Sequence, residues 1–420
     1  MSNPTHQQSV IYQLSMYAAL VDDIPGPNLE PLLYQKIQAA LQADAGEIGN
    51  WSVAWGPVAV QLNTSAYAVN AMYVAESKDT PGSYVVGIAG TNPSSVFDWV
   101  VEDGLVSVQL PWIYGLFSAP DARIALGTGI GLAILQNAAP GSGIPGTGTT
   151  LLEFMQGIPK EGTSVVVSGH SLGGALSPTV ALWLHDVRLL WDPFSQVALS
   201  TLPTAGPTAG NAAFAAYSNE KLPTTRFANA IDVVPHAWQA SDLAAIPTLY
   251  APDIQPDDLI NDLVHVAETI SAAGGYTQLV DDAGWFPASV DTSIITPGAP
   301  VIENFFYQLA YQHTTAYHTF FGVVSPTLHA WAARFQAAVT AQGPALAMRV
   351  AAGAAAAAQA TAPVNGRPTV IPPASDPASA QVAARVLADL MRHATPDQQR
   401  VGIPVDPQSL VDTRAGAAQP

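Results

Sequence analysis

Apolar positions change their spacing several times along the chain, and each change marks an element. Residues 8 to 22, QSVIYQLSMYAALVD, place Ile11, Leu14, Tyr17, Ala18 and Val21 on one helical face, and the DDIPGPN stretch ends that pattern. A leading helix is expected there. YVVGIAG (84–90) and TSVVVSG (163–169) are short β-branched runs bounded by glycine, as in strands buried on both faces of a parallel sheet. QVALSTL (196–202) and TTRFANAID (224–232) read in the same way. Between the second and third of these runs, SLGGALSPTVALWLHDVRLL repeats Leu176, Val180, Leu184 and Val187 at helical spacing. Strand, helix, strand in that order implies a crossover unit and an α/β fold with a mostly parallel central sheet flanked by helices.

The stretch from Ile124 to Leu152 carries no charged side chain, but Gly and Pro interrupt it after Leu135. A membrane span needs about 20 mainly apolar residues, so this segment reads as buried core and no transmembrane segment is expected. A helical insertion is expected at about 237–310. It contains DDLINDLVHVAETISAAG, whose Leu259, Leu263 and Val266 would pack on the main body. Beyond about Gly343 the composition turns to Ala and Pro, so the chain divides into a main domain over 1–342 and a C-terminal extension over 343–420.

Composition narrows the function. Charged residues make up only 11% of the 420 positions and hydrophobic ones 49%, which excludes disorder and points to an apolar partner. A net charge of −18 repels phosphate backbones and anionic headgroups, so nucleic-acid binding is disfavoured. There are no cysteines, which removes disulfides, thiolate metal sites and a cysteine nucleophile together. The acidic pairs Asp22/Asp23 and Asp281/Asp282 lack the loop pattern of a calcium site, so no metal and no cofactor are expected. No basic residue precedes Lys36 and no early apolar run follows the N-terminus. A Sec-type signal is therefore not expected, which leaves a cytoplasmic location or export by another route. Nothing in the sequence fixes the oligomeric state.

The sharpest local signal is Gly169-His170-Ser171-Leu172-Gly173, directly after a strand-like run and before a helical one. Two glycines let a strand turn sharply into a helix, lifting the serine hydroxyl above the sheet edge with a helix N-terminus beneath it. The bland alternative is a glycine-rich turn whose serine caps the helix. A nucleophilic serine needs a base, and the base an orienting acid. Asp232 closes the run TTRFANAID just before Val233-Val234-Pro235, which places it in a turn at a strand end. Ser before Asp before His is the chain order of α/β hydrolases. Of the downstream histidines, His236 is too near the acid and His265 sits on the insertion helix. His313 and His318 both lie in AYQHTTAYHTFFG, and on one helix they would point about 140° apart, so only one serves as base. Oxyanion donors are expected from the backbone N–H of Leu172 and from Thr91 in the IAGTNP loop, the alternative there being a locally bonded turn.

After that loop, SSVFDWVVEDGLVSVQLPWIYGLFSAP is too apolar for a connection running in water. A lid over about 93–122 is expected, with Trp99, Trp112, Ile113 and Tyr114 as lid or substrate-binding residues. A buried helix pair would give the same pattern.

These residues resemble, in order, the class 3 lipases, the fungal-type triacylglycerol lipases with an α/β-hydrolase fold. IAGTN followed by Asp98-Trp99, VVVSGHSLGGAL at the elbow, TAGPTAGNAAFAAY (204–217) and ANAIDVVP each match a family segment, over about residues 8 to 325. Two family arginines are replaced, by Ala89 and Thr208. The resemblance implies Ser171 as nucleophile, Asp232 as acid, Thr91 and Leu172 as oxyanion donors, and a lipid–water interface as the working surface. QHTTAY resembles the family's H-x-x-x-Y version, which implies His313 as base, while HTFFG keeps His318 as the competing choice. The expected activity is hydrolysis of water-insoluble acyl esters such as triacylglycerols through an acyl-enzyme. The rivals are a soluble carboxylesterase or phospholipase A1 and, from another class, a non-catalytic protein binding apolar ligands or a lipid interface.

Overall fold

In this computed structural model, residues 3–26, 28–61, 68–90, 106–115, 117–280 and 284–360 are described. The chain opens with α1 (His6–Met16), whose Thr5 and Gln8 form a reciprocal capping box. A 3-10 turn (Tyr17–Asp23), α2 (Leu29–Ala43) and α3 (Ala45–Ile48) follow. Strands β1 (Trp51–Gln61), β2 (Ala68–Ser77) and β3 (Ser83–Ile88) come next, then the small hairpin β4 (Gln109–Pro111) and β5 (Arg123–Ala125). Helices α4 (Leu126–Asn137) and α5 (Leu151–Gly157) lead to β6 (Ser164–His170), α6 (Leu172–Asp186), β7 (Ala198–Thr204) and α7 (Ala212–Lys221). Beyond them lie β8 (Ala228–Asn229), α8 (Ala240–Leu243), α9 (Asp258–Ser271) and β9 (Trp285–Phe286). Helices α10 (Val301–His313), α11 (Thr315–Phe321) and α12 (Pro326–Ala360) complete the described chain.

Among the described residues the central sheet runs β1-β2-β3-β6-β7. It is mixed rather than mostly parallel: β1–β2 and β2–β3 pair antiparallel, β3–β6 and β6–β7 parallel. Period-two alternation sorts the side chains between two cores. Ala71, Tyr73, Ala75 and Val85 face one core, with α1, α2 and the C-terminal helices, while Met72, Val74, Tyr84, Val86 and Ile88 face the other, with α4 to α7. The run at 224–232 is an irregular edge: Thr224 and Phe227 bridge in parallel to Thr201 and Thr204, and only Ala228–Asn229 form a strand, paired with β9.

Three expectations change. The insertion helix α9 packs on the main body through Leu259 and Leu263 as expected, but its most buried apolar residues are Ile260 and Val264, one position further on. The boundary at 343 falls inside α12, which runs unbroken to Ala360; a Cβ on Gly343 would lie 2.4 Å from the Phe306 ring, so the helix is packed tightly there. Alanine is the strongest helix former, and the Ala-rich stretch continues α12 past that position. Third, Trp112 is not a lid residue. It is fully buried in the α4–α7 core and donates its indole N–H to Asp186 Oδ2 at 2.8 Å. Beside it, Ile113 is partly exposed, and the Tyr114 hydroxyl is bonded to the Gln136 amide at 2.7 Å. This half of the expected lid is a packed hairpin, while Trp99 lies outside the described residues.

Candidate active site

Parallel pairing brings the ends of β3, β6 and β7 level, with Ile88 opposite Gly169 and His170 opposite Thr204. Ser171 follows at once, and its backbone is left-handed, with φ 60° and ψ −128°. A non-glycine residue there stores strain, which the surrounding contacts must hold. Ser171 N–H donates to Thr204 O at 3.1 Å, and the Ser171 carbonyl accepts from Gly174 N–H at 2.8 Å. The flanking glycines are required by space. A Cβ on Gly169 would lie 2.4 Å from Gly173 O, and one on Gly173 only 2.3 Å from Ile88 O. Leu172 opens α6, so its N–H belongs to the first helical turn, whose donors have no partner within the helix. Thr91 lies outside the described residues, but its neighbour Gly90 is packed so closely that a Cβ would sit 3.1 Å from Ser171 Cβ.

Asp232 lies in the turn after the 224–229 edge and is wholly buried. Its Oδ1 accepts from Val234 N–H at 3.1 Å, and its Oδ2 accepts from His313 Nδ1 at 2.8 Å and from the Tyr317 hydroxyl at 3.1 Å. A carboxylate only accepts, so the proton sits on His313 Nδ1 and Nε2 presents a lone pair. That Nε2 atom is buried with no hydrogen-bond partner. His313 ends α10, and Thr314, at φ −130° and ψ −77°, breaks the helix before α11. The break separates His313 from His318, which therefore do not share one helix.

His170 ties His313 to the elbow. Its Nε2–H donates to the His313 carbonyl at 2.8 Å, and the two rings lie 4.8 Å apart. Burial, then the neighbouring His313, push the His170 imidazole well below its usual range, so it stays neutral. Elsewhere His236 Nδ1 donates to the Asp232 carbonyl and its ring packs on Trp285, while His265 is exposed. His318 is buried among Tyr12, His329 and Trp331, with neither ring nitrogen bonded and no contact to Asp232. The structure thus brings Asp232 and His313 together beside the Ser171 elbow and keeps His318 apart.

Several contributors escape a reading of the sequence. Tyr317 was visible only as the last letter of an H-x-x-x-Y spacing. Asn229 holds the acid's turn: its backbone N–H donates to Tyr317 Oη at 2.9 Å, and its side chain donates to Gln312 Oε1 at 2.8 Å. Asp22 is another. It accepts the Trp331 indole N–H at 3.0 Å and lines the same small cavity as Ser171. Burial pushes its carboxyl up to about 8. The companion pair, Asp281 and Asp282, lies outside the described residues.

Residues 146–241, which hold the elbow and the acid, match the family described as lipase (class 3). The crystal structure of M37 lipase superposes with a TM-score of 0.65 at 32% identity, over 76% of this chain and 92% of that one. Lipase II from Rhizopus niveus aligns at 18% identity and TM-score 0.40, over 57% of this chain and 78% of that one. No curated protein matches the chain. With a strand–Ser–helix elbow at the end of the sheet and a lipase relative 32% identical over 76% of the sequence, this α/β-hydrolase chain belongs to the class 3 lipase family.

Proposed function

We propose that this lipase-type hydrolase cleaves acyl esters of water-insoluble neutral lipids, triacylglycerols among them, through an acyl-enzyme on Ser171. The supporting observation is the state of His313: one ring nitrogen spent on a buried carboxylate, the other unpartnered beside the elbow. Ser171 Oγ attacks the ester carbonyl carbon as its proton passes to His313 Nε2. Asp232 fixes the tautomer and balances the imidazolium. Leu172 N–H and Thr91 hold the oxyanion, each such donor being worth about 3–4 kcal/mol in the transition state. Collapse of the tetrahedral intermediate breaks the ester C–O bond, and His313 returns its proton to the departing alcohol. Water then attacks the acyl-enzyme by the same route, releasing a fatty acid and restoring Ser171. The net charge of −18 favours neutral acylglycerols over anionic lipids. Among the described residues no helix is long and apolar enough to cross a membrane, so contact with lipid would be at a surface.

His313 is wholly buried and Ser171 nearly so, which means an ester reaches them only after the covering segments shift. Hydrolysis that rises sharply above the solubility limit of a triacylglycerol is expected; a rate that saturates on dissolved monomer would instead assign a soluble esterase. A fluorophosphonate should label the wild type at Ser171 and leave Ser171→Ala unlabelled. His313→Ala should lose at least about 10⁴-fold in kcat, the usual scale for removing a triad member, and His318→Leu should keep most of it. Wild-type protein that never labels would leave a non-catalytic binder of apolar ligands.

A further inference from the structure

Arg226, on the irregular edge just before β8, is a buried cation whose Nη1 and Nη2 meet neither a hydrogen-bond acceptor nor solvent among the described residues. A charge buried without a counter-group is among the costliest features a fold can carry, so the arrangement calls for a partner that compensates it. The side chain cannot turn away to reach water. Its guanidinium lies 4.6 Å over the Trp285 ring, and a Cβ on Gly284 would come within 3.0 Å of Nη1. Burial pushes Arg226 down to about 10, which leaves it a cation at neutral pH. The titratable groups around it do not neutralise it. Asp242 attracts the guanidinium, but its Oδ1 is engaged by Gln239 and Ser241 and its Oδ2 is buried and unbonded. His236, 4.6 Å from the same Trp285 ring, is lowered by burial and stays neutral, and the Tyr317 phenol stays protonated.

Arg226 also lines a cavity with about 10 Å³ of free space, bounded by Gly174 of α6, Gly206 and Pro207 after β7, and Gln278. Of the lining side chains only Arg226 and Gln278 are polar, and Gln278 already donates through Nε2 to the Pro235 carbonyl and through its backbone N–H to Gln239 Oε1. The walls are stiff, since a Cβ on Gly174 would lie 2.3 Å from Thr204 O. Such a volume takes a single particle about the size of a water molecule and nothing polyatomic. We propose that this cavity is an anion site that holds one halide ion, chloride under physiological conditions, on Arg226 Nη1 and Nη2. A monatomic anion asks only for donors, which the guanidinium supplies in a fixed fork, whereas a water molecule would leave the charge uncompensated. The net charge of −18 opposes anions at long range, but physiological salt screens exposed charges beyond about 8 Å, and the adjoining buried cation decides. The site joins the elbow helix to the edge that ends in Asp232, because Gly174 N–H donates to the Ser171 carbonyl at 2.8 Å. Bound halide therefore stabilises the folded chain, and does so whether or not Ser171 is catalytic.

The test compares urea unfolding midpoints of the full chain in sodium chloride and in sodium gluconate, mixed to a constant ionic strength of about 0.15 M so that screening is equal. Chloride should raise the wild-type midpoint over gluconate, and the gain should grow with the logarithm of chloride concentration once the site begins to fill. Arg226→Met should lose that gain and show the same midpoint in both salts. In gluconate the variant should be at least as stable as wild type, because the uncompensated charge is gone. Should Arg226→Met fail to fold, crystals of the wild type grown in sodium bromide decide the matter by anomalous scattering. A bromide peak within hydrogen-bonding reach of Arg226 Nη1 and Nη2 supports the site. Water alone in that position, or equal wild-type midpoints in the two salts, would overturn it.

Discussion

Tyr317 lies four residues after His313, and its hydroxyl donates to the same oxygen, Asp232 Oδ2, that His313 Nδ1 engages, at 3.1 and 2.8 Å. The phenol completes a chain from the Asn229 backbone N–H through Tyr317 Oη to the acid. Burial, and next the Asp232 charge, push the Tyr317 hydroxyl far above its usual range, so it remains a donor throughout the working pH span.

Tyr317→Phe should therefore act on the acid and not on substrate binding. A hydrogen bond to a buried charge contributes about 1.5–3 kcal/mol, so kcat should fall by roughly 10- to 150-fold while KM stays near its wild-type value. The variant also strands the Asn229 N–H, and a lower midpoint in urea unfolding should accompany the kinetic change. An unchanged kcat with a lowered midpoint would make Tyr317 purely structural.

The elbow gives a second, steric prediction. Gly173→Ala puts a methyl group 2.3 Å from the Ile88 carbonyl, where backbone must move on both sides of the sheet edge. Such overpacking costs about 3 kcal/mol, and the displaced strand end would spoil the elbow with it. Gly46→Ala is the control: this exposed glycine in α3 has no atom within 4 Å of a new Cβ and no left-handed backbone. There the substitution should stabilise by about 0.5–1 kcal/mol through the unfolded chain alone. Thermal or urea unfolding of both variants checks the opposite signs.

What could be read in the sequence follows from how local each feature is. The elbow is written in adjacent residues, because the Gly-flanked serine and the strand and helix around it form one continuous turn, and Asp232 likewise sits in a turn announced by its own neighbours. The base is different. His313 meets an acid 81 residues away, and only the Thr314 break decides that His313 and not His318 turns toward it. Trp112 shows the reverse failure. An apolar run looks the same whether it swings or packs, and the bond that pins Trp112 belongs to Asp186, 74 residues distant. Strand β1 carries no clear period because register shifts at Val53/Trp55 and Trp55/Val58 interrupt the alternation that would reveal it. The extension of α12 was hidden by composition: Ala and Pro suggest a linker until a packed partner such as Phe306 is known.

His318, buried away from Asp232, contributes to the acid side of stability. Burial first and the adjacent His329 second push its imidazole down to about 3, against about 6.5 in the unfolded chain. Between those values the unfolded chain binds the proton and the folded one does not, so unfolding is favoured as pH falls. The stabilisation is complete above about 6.5 and is lost as pH drops toward about 3, at up to about 1.4 kcal/mol per pH unit from this group. His170 and His236, also depressed chiefly by burial, act in the same direction. Asp22 has the opposite sign: with its carboxyl raised to about 8, the folded chain holds the extra proton from about 3.9 upward, and stability declines as pH rises through that window. His318→Leu removes one proton from the acid limb and replaces two unbonded nitrogens with hydrocarbon of similar size. Urea unfolding at pH 6.5 and pH 5.0 should show wild type losing about 1.6 kcal/mol more than the variant over that interval, because the unfolded imidazole is half protonated at pH 6.5 and almost fully protonated at pH 5.0. Equal losses in the two proteins would mean that folded His318 binds its proton as readily as the unfolded chain does.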